Sequence, residues 1–268
     1  MKNIDVSIII VNYKTEKLLI DTINSVCLKT TNITYEIIVV DNNSNDNSDE
    51  LIKNLFNSQI SYLSLPSNLG FGRANNVGAN NALGKYLFFL NSDTILINNA
   101  VEILFEFMEK EKNVGICGGN LFSADFKPVH SCMPVLPSLF LEIDSIFGHL
   151  FLIMIYGKRF DFNTSKVPKK VADIIGADLM IRSDIFHECG GFDPDFFLYN
   201  EESELSFRVQ QKGFEVYCIS DAKIIHLEGK SSSSDISRRK YALISRKILF
   251  KKTHGVAYRF LVDIVFAL

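Results

Sequence analysis

Residues 85–96, KYLFFLNSDTIL, constrain this chain more than any other stretch. Tyr86 to Leu90 are apolar without alternation, the pattern of a strand buried on both faces of a parallel sheet. The run stops abruptly at Asn91-Ser92-Asp93-Thr94, all small and polar. A carboxylate at the C-terminal end of a central parallel strand sits where open α/β sheets bind ligands. One rigid oxygen ligand with room around it suits a divalent cation that keeps several waters and holds a phosphate. A plain polar turn is the alternative for the same residues.

The preceding 84 residues repeat the theme. Residues 6–11 (VSIIIV), 36–40 (EIIVV) and 60–65 read as strands. Thr15 is placed to cap a helix carrying Leu18, Leu19, Thr22, Ile23 and Val26, and Asn45 or Asp46 to cap another near 48–56. After the loop at 68–72 comes a small-residue helix over 73–83. This βαβαβαβ order predicts a mostly parallel sheet with helices on both faces. Asn12, Asp41 and Asp93 then share one edge, in the manner of a nucleotide site.

Downstream, 99–110 reads as a helix and 114–117 as a strand closed by Gly118-Gly119. The pattern weakens over 123–170, where four of the six prolines fall, as in an insertion over the sheet edge. Its centre, FGHLFLIMIY at 147–156, is too short to span a bilayer and reads as a buried helix, with a membrane-surface contact as the alternative. Strand character returns over 171–182, with Gly176 allowing close backbone approach. Ser183 caps a short helix, and a second helix runs from the Asn200-Glu201-Glu202-Ser203-Glu204 segment to about Lys212. Residues 215–219 and 223–226 read as two short strands, and 231–234 as a flexible polar stretch.

A chain of 268 residues, 47% hydrophobic and 22% charged, allows one large α/β domain with additions. Five scattered cysteines without a CxxC pair predict reduced core thiols rather than disulfides or zinc. No opening signal peptide and no long apolar span are read, which predicts a cytoplasmic protein. Residues 238–268 hold 8 Lys/Arg and 1 Asp, net +7, on a body of net −10. That basic tail predicts one or two amphipathic helices that either lie on an anionic membrane, making the protein peripheral on the inner face of the cytoplasmic membrane, or pack on the body. No nucleic-acid partner is expected; oligomeric state stays open, and the apolar insertion and tail could support a homodimer.

The strings VSIIIVNYKTEKLL, EIIVVDNNSND, SNLGFGRANNVGANNALGKYLFFLNSDT, GADLMIRSDIFHECGGFDPDFFLYNEESELSFR and IIHLEGKS together resemble glycosyltransferase family 2 over about residues 4–232. They are most similar to its bacterial rhamnosyltransferase-like branch. The resemblance implies a GT-A fold, a Rossmann-like, mostly parallel α/β sheet flanked by helices with a smaller acceptor-side sheet. It divides the chain into a nucleotide-sugar half at about 1–120, an acceptor half at about 121–237 and a helical tail at 238–268. It also implies inverting transfer of a hexosyl or deoxyhexosyl unit, with Mg²⁺ or Mn²⁺. The donor is UDP- or dTDP-linked, and the acceptor is a hydroxyl of a saccharide or lipid-linked molecule in cell-surface polysaccharide synthesis.

The family's DxD-type motif falls on Asn91-Ser92-Asp93, with Asn91 in place of the first Asp, so Asp93 becomes the main carboxylate ligand. His226 resembles the late metal-binding His; a hydrogen-bonded strand-end histidine is the alternative. Asp41 resembles the residue that reads the base, or else caps the next helix. Asn12, Tyr13 and Asn43 fall with the nucleotide contacts, and Arg73 at a position that approaches the diphosphate, where its planar charged fork suits phosphate. The acceptor's proton is assigned to Glu202, with Glu201 beside it and Glu204 supporting it or touching the acceptor. Relatives more often carry Glu-Asp-x-Asp there, and a negatively charged first helical turn is the plain alternative. Asp178 and Asp193 fall on the acceptor side or at turns. Two other functions stay open. A sugar-phosphate nucleotidyltransferase calls for a glycine-rich basic loop that VNYKTEKLL lacks; a non-catalytic nucleotide-sugar-binding protein fits the Asn91 and Glu202 departures.

Overall fold

The apolar runs form strands β1 (Ile4–Asn12), β2 (Tyr35–Asp41), β3 (Ile60–Ser64) and β4 (Gly84–Asn91). They pair in parallel, in the order β3-β2-β1-β4, in a computed structural model that describes residues 4–56, 60–227 and 235–266. Alternate side chains of each strand enter two separate cores. Ile8, Tyr86 and Phe88 meet Leu19 and Ile23 of α1 (Glu16–Lys29) and Leu104 of α4 (Ala100–Lys110). Ile9, Leu87 and Phe89 meet Ala74 of α3 (Phe71–Asn80) and Phe186 of α7 (Ser183–Glu188). A fully buried Leu, Ile or Phe contributes roughly 1.5–3 kcal/mol, which is why runs without alternation settle in the middle layer. The register pairs Asn12 with Asp41 and Val11 with Asn91, so these strand ends do share one edge.

The remaining elements close the sheet and flank it. They are α2 (Ser48–Phe56), β5 (Thr94–Leu96), β6 (Val114–Phe122), β7 (Cys132–Met133), α5 (Leu139–Ile146), α6 (Leu150–Tyr156), β8 (Lys169–Val171), β9 (Asp173–Ile174), β10 (Asp178–Arg182), α8 (Glu201–Gln211), β11 (Glu215–His226), α9 (Asp235–His254) and α10 (Val256–Phe266). The sheet continues β4-β10-β6-β11-β5, with β10 antiparallel to both neighbours and β8 on β11; β7 and β9 form a small second sheet.

Several local expectations are corrected. Residues 171–182 are three pieces rather than one strand, because the turn at 175–177 is drawn onto β4: the Asn91 amide donates to the Ala177 carbonyl at 3.0 Å. The two strands expected within 215–226 are one, with a register shift between Ile219 and Lys223. Thr15 precedes α1, but its hydroxyl makes no cap and turns to Asn12 Oδ1 at 2.8 Å. Asp46 does cap α2, accepting from the Ser48 amide at 3.0 Å. Cys27 is exposed, whereas Cys117, Cys132 and Cys218 are buried; all five are free.

The apolar stretch at 147–156 is not a buried helix. It contributes α6, bent 106° from α5, and Leu152 alone of α6 is buried. Helices of eight and seven residues are too short to hide all their faces under a sheet edge. In the tail, α9 packs on the body. Leu249 and Phe250 are buried, Ser245 Oγ donates to the Leu198 carbonyl at 2.7 Å, and Tyr241 stacks on Phe197. The polar stretch 231–234 lies outside the described residues, as do Gly229 and Lys230.

Gly70 clamps the loop before α3 to the segment leading into α8. Its φ is +88°, and a Cβ there would stand 2.2 Å from the Phe197 carbonyl oxygen, which also accepts from the Phe71 amide at 2.9 Å.

Candidate active site

At the β1 and β2 ends, Asn12 is the organiser. Its Nδ2 donates to Asp41 Oδ1 at 3.0 Å, Ser44 Oγ at 3.1 Å and Ser48 Oγ at 3.2 Å, while its Oδ1 accepts from Thr15. Fully buried and fully engaged, Asn12 positions Asp41 rather than facing the cleft, which corrects its expected contact with base or ribose. Asp41 accepts further bonds from the Ser44 hydroxyl and from the Ser44 amide, the latter at 3.1 Å. Tyr13 is half-exposed beneath Lys14, and Asn43 sits in the left-handed region at φ +67°. A cleft of about 470 Å³ opens here, lined by Lys14, Thr15, Glu16, Lys17, Ser44 and Asp46 among others.

The β4 end carries the Asn91-Ser92-Asp93 turn. Ser92 is locked by Thr15 Oγ1 at 2.8 Å and through its carbonyl by Thr22 Oγ1 at 2.9 Å. Asp93 Oδ1 lies 3.3 Å from His226 Nε2, and Asn91 Nδ2 lies 3.4 Å from the same nitrogen. The β5–β11 pairing, with His226 opposite Thr94, builds this contact across 133 residues of sequence separation between Asp93 and His226. Two donors bound to one ion at about 2.1 Å and a right angle stand about 3.0 Å apart, so the Asp93–His226 pair has the spacing of adjacent ligands on a small divalent cation. Among the described residues no group of three or more His, Cys, Asp or Glu side chains is gathered for a metal. Two protein ligands suit an ion shared with a diphosphate and water, not a closed structural site.

Glu201 and Glu202 open α8. Glu201 is buried, and its Oε2 has no hydrogen-bond partner among the described residues. Burial, then the neighbouring Glu202, push its carboxyl well above the usual range. Glu202 is also raised by burial, opposed by bonds from its own amide and that of Gly176. The Gly176–Ala177 step therefore touches both halves: Gly176 holds Glu202, and Ala177 holds Asn91.

Four expected site residues lie elsewhere. Arg73 donates through Nε to the Pro194 carbonyl at 2.6 Å and makes no hydrogen bond or ion pair with the Asn91–Asp93 turn. Asp193 pairs with Lys252 at 2.6 Å, tying α9 to the turn instead of lining an acceptor cleft. Glu204 makes two bonds of 2.8 Å to Arg208 Nε, and Arg208 also donates to the Cys189 and Gly191 carbonyls, so Glu204 braces α8. Asp178 is wholly buried, accepting from the Gly119 amide at 2.6 Å, with Oδ1 unpartnered among the described residues. Burial pushes its carboxyl well up, partly offset by the Gly119 amide and by His226.

One residue escaped the sequence altogether. Asp173 on β9 is buried beneath α8, accepting from the Ser203 and Ser206 hydroxyls, the latter at 2.9 Å. Burial first, and Glu202 second, push it up to about 7. An isolated Asp inside the apolar string VADIIGADLM signals only that something polar must meet it. The folded state holds this proton above the pH where the unfolded chain releases it, so Asp173 makes stability fall as pH rises from about 4 to about 7. Asp173→Asn is expected to be more stabilising relative to the parent at pH 8 than at pH 5, by on the order of 2–4 kcal/mol. Urea unfolding of both proteins at the two pH values measures this difference.

The sheet order and acid-tipped strand ends define a GT-A fold. A crystal structure of GalNAc-T7 with UDP, GalNAc and Mn²⁺ matches 93% of this chain and 48% of that one, with a TM-score of 0.67 and 19% identity. The chain belongs to glycosyl transferase family 2, whose profile matches residues 7–190. It is similar to the O-antigen biosynthesis protein RfbC of Myxococcus xanthus, 24% identical over 85% of this chain and 18% of that protein. It is also similar to glycosyltransferase GlyG of Streptococcus pneumoniae, 30% identical over 45% of this chain and 40% of that one. The low-salt glycan biosynthesis hexosyltransferase Agl10 of Haloferax volcanii is 27% identical over 79% of this chain and 64% of its own. The chain thus spans only part of the length of each relative.

Proposed function

We propose that this domain is an inverting glycosyltransferase of surface-glycan assembly. It moves a hexosyl or deoxyhexosyl unit, rhamnose-like in keeping with the branch it resembles, from a UDP- or dTDP-linked donor to a hydroxyl of a saccharide or lipid-linked acceptor. The observation that carries this reading is the pairing of Asp93 with His226 on one side of the Gly176–Ala177 step and Glu202 on the other. The O-antigen and glycan roles named for RfbC and Agl10 support the process; the UDP and Mn²⁺ of the GalNAc-T7 structure support the donor class and a divalent ion.

Asp93 and His226 would hold Mg²⁺ or Mn²⁺, which when bound neutralises the charge growing on the departing β-phosphate. Asp41, fixed by Asn12 and Ser44, accepts hydrogen bonds from the ring N–H of uracil or thymine. Glu202 accepts the acceptor hydroxyl's proton as that oxygen bonds to the anomeric carbon from the face opposite the phosphate. The carbon–oxygen bond to phosphate breaks, and its electron pair leaves on the diphosphate. A carboxyl raised by burial is a stronger base than an ordinary one and suits this transfer near neutral pH.

The test is a panel of UDP- and dTDP-sugars with simple glycosides and polyprenyl-linked sugars as acceptors, with Mn²⁺ and with chelator. The expected result is acceptor-stimulated, metal-dependent release of UDP or dTDP, with the product's anomeric configuration opposite to the donor's by NMR. Nucleotide-sugar binding without transfer to any acceptor would assign the chain to the binding proteins instead.

A further inference from the structure

We infer that the α5–α6 hairpin, with α10 beside it, docks on the surface of an anionic lipid bilayer. The inference does not rest on the sugar-transfer reading; it rests on what this hairpin exposes. Ile146, Phe147, Leu150, Met154 and Ile155 are each 59–72% exposed, a density of large bare apolar side chains rare on a soluble surface. On α10, Phe260, Leu261 and Ile264 extend the patch. The two regions touch: α10 packs against α5, and the Leu139 amide donates to the Tyr258 hydroxyl.

Charge selects a lipid surface as the occupant. The hairpin has two acids, and both are turned inward. Glu142 is buried and pairs with Arg246 of α9 at 3.1 Å; Asp144 is buried and caps α6, accepting from the Phe151 and Leu152 amides at 2.8 and 3.1 Å. From 139 to 159 every exposed residue is apolar, Ser, Gly or cationic; exposed Lys158 and Arg159 follow the end of α6, Arg159 lying 3.7 Å from Asp161. Over 139–159, an apolar face followed by cations and without an exposed acid complements anionic headgroups over acyl chains. No single helix among the described residues is long and apolar enough to cross a membrane, and α5 and α6 are bent 106° apart. At 1.5 Å per residue each is about 12 Å long or less, so the hairpin lies in the interface and does not span a core about 30 Å thick. The patch adjoins α8: a cavity of about 100 Å³ separates Leu136 and Pro137, just before α5, from Ser203 and Phe207. A lipid-anchored molecule held at this surface would therefore be presented beside the helix that carries Glu202.

The experiment is co-sedimentation of the full chain with phosphatidylcholine vesicles, with and without phosphatidylglycerol. Circular dichroism confirms folding of each variant, and light scattering reports its oligomeric state. The parent is expected to bind the anionic vesicles. Met154→Asp with Ile155→Asp, both on exposed positions, is expected to weaken binding at least about tenfold. Lys158→Glu with Arg159→Glu is expected to lose about tenfold on the anionic vesicles alone. The chain has no tryptophan, so Phe147→Trp supplies a single reporter whose emission should shift to the blue on anionic vesicles. The inference is overturned by parent protein that stays in the supernatant, by binding that survives both pairs of substitutions, or by an unshifted reporter. A dimer that the Met154→Asp/Ile155→Asp protein cannot form, without vesicle binding, would give the face to a second copy and overturn it equally.

Discussion

Glu202→Gln is expected to lower kcat about a thousandfold while leaving the Kd for the donor nucleotide within about threefold of the parent. General-base catalysis contributes roughly 10²–10⁴-fold, and Gln keeps the shape and the Gly176 contact without the basicity. The parent should show a pH–rate limb: Glu202 works deprotonated, so activity falls as pH drops through its carboxyl pKa. Burial raises that pKa, so the limb lies above the ordinary Glu range. The Gln variant should lose the limb as well as the rate. Glu202→Asp, one methylene shorter, should recover part of the activity, because the loss is then one of reach and not of chemistry. Initial rates with saturating donor, taken across pH 4.5 to 8.5 as roughly spaced points around the neutral range, separate these cases. A Gln variant with the parent's kcat and pH limb would move the base elsewhere, with Glu201 and Asp173 the carboxyls that interact with Glu202.

The first four strands are legible because their signals are local. The four apolar runs need no partner to be read as buried strands, and their parallel register carries Asn12, Asp41 and Asn91 to one edge. Even there, the hydrogen bonds of Asn12 show a side chain spent entirely on Asp41 and its neighbours, which the strand pattern does not encode. The rest of the chain is less legible because its charged side chains are claimed by partners far along the chain. Asp193 belongs to Lys252 and Arg73 to the Pro194 carbonyl, each set by how α9 and the 193–195 turn happen to pack. Glu204 and Arg208 are a local pair at i, i+4, visible in the sequence as such, and the family resemblance outweighed it. Asp173 illustrates the opposite failure: an Asp in an apolar string gives no hint that two hydroxyls of α8 will receive it. The α5–α6 segment has strong hydrophobicity but no period that says which face is covered, so burial was the natural expectation and exposure the outcome.

Asp93→Asn is expected to cost activity a hundredfold or more, through the ion and not the fold. The substitution is nearly isosteric, and the Asp93 backbone carbonyl still accepts from the Leu227 amide at 2.9 Å, so the turn should keep its shape. What changes is the donor set: an anionic oxygen 3.3 Å from His226 becomes a neutral amide, beside an Asn91 that is already neutral. With no carboxylate left in the motif, the site has one imidazole and two amides, a set that holds a hard divalent ion poorly. Titration calorimetry of Mn²⁺ into the UDP complex should therefore show about a hundredfold weaker uptake, while UDP binding in chelator stays near the parent's value. His226→Ala should weaken Mn²⁺ in the same assay, and the double variant should cost less than the sum, because both side chains serve one ion. If Asp93→Asn takes up Mn²⁺ as the parent does, or if the two losses simply add, the Asp93–His226 pair is only a strand-end contact. The charge on the leaving diphosphate must then be met elsewhere.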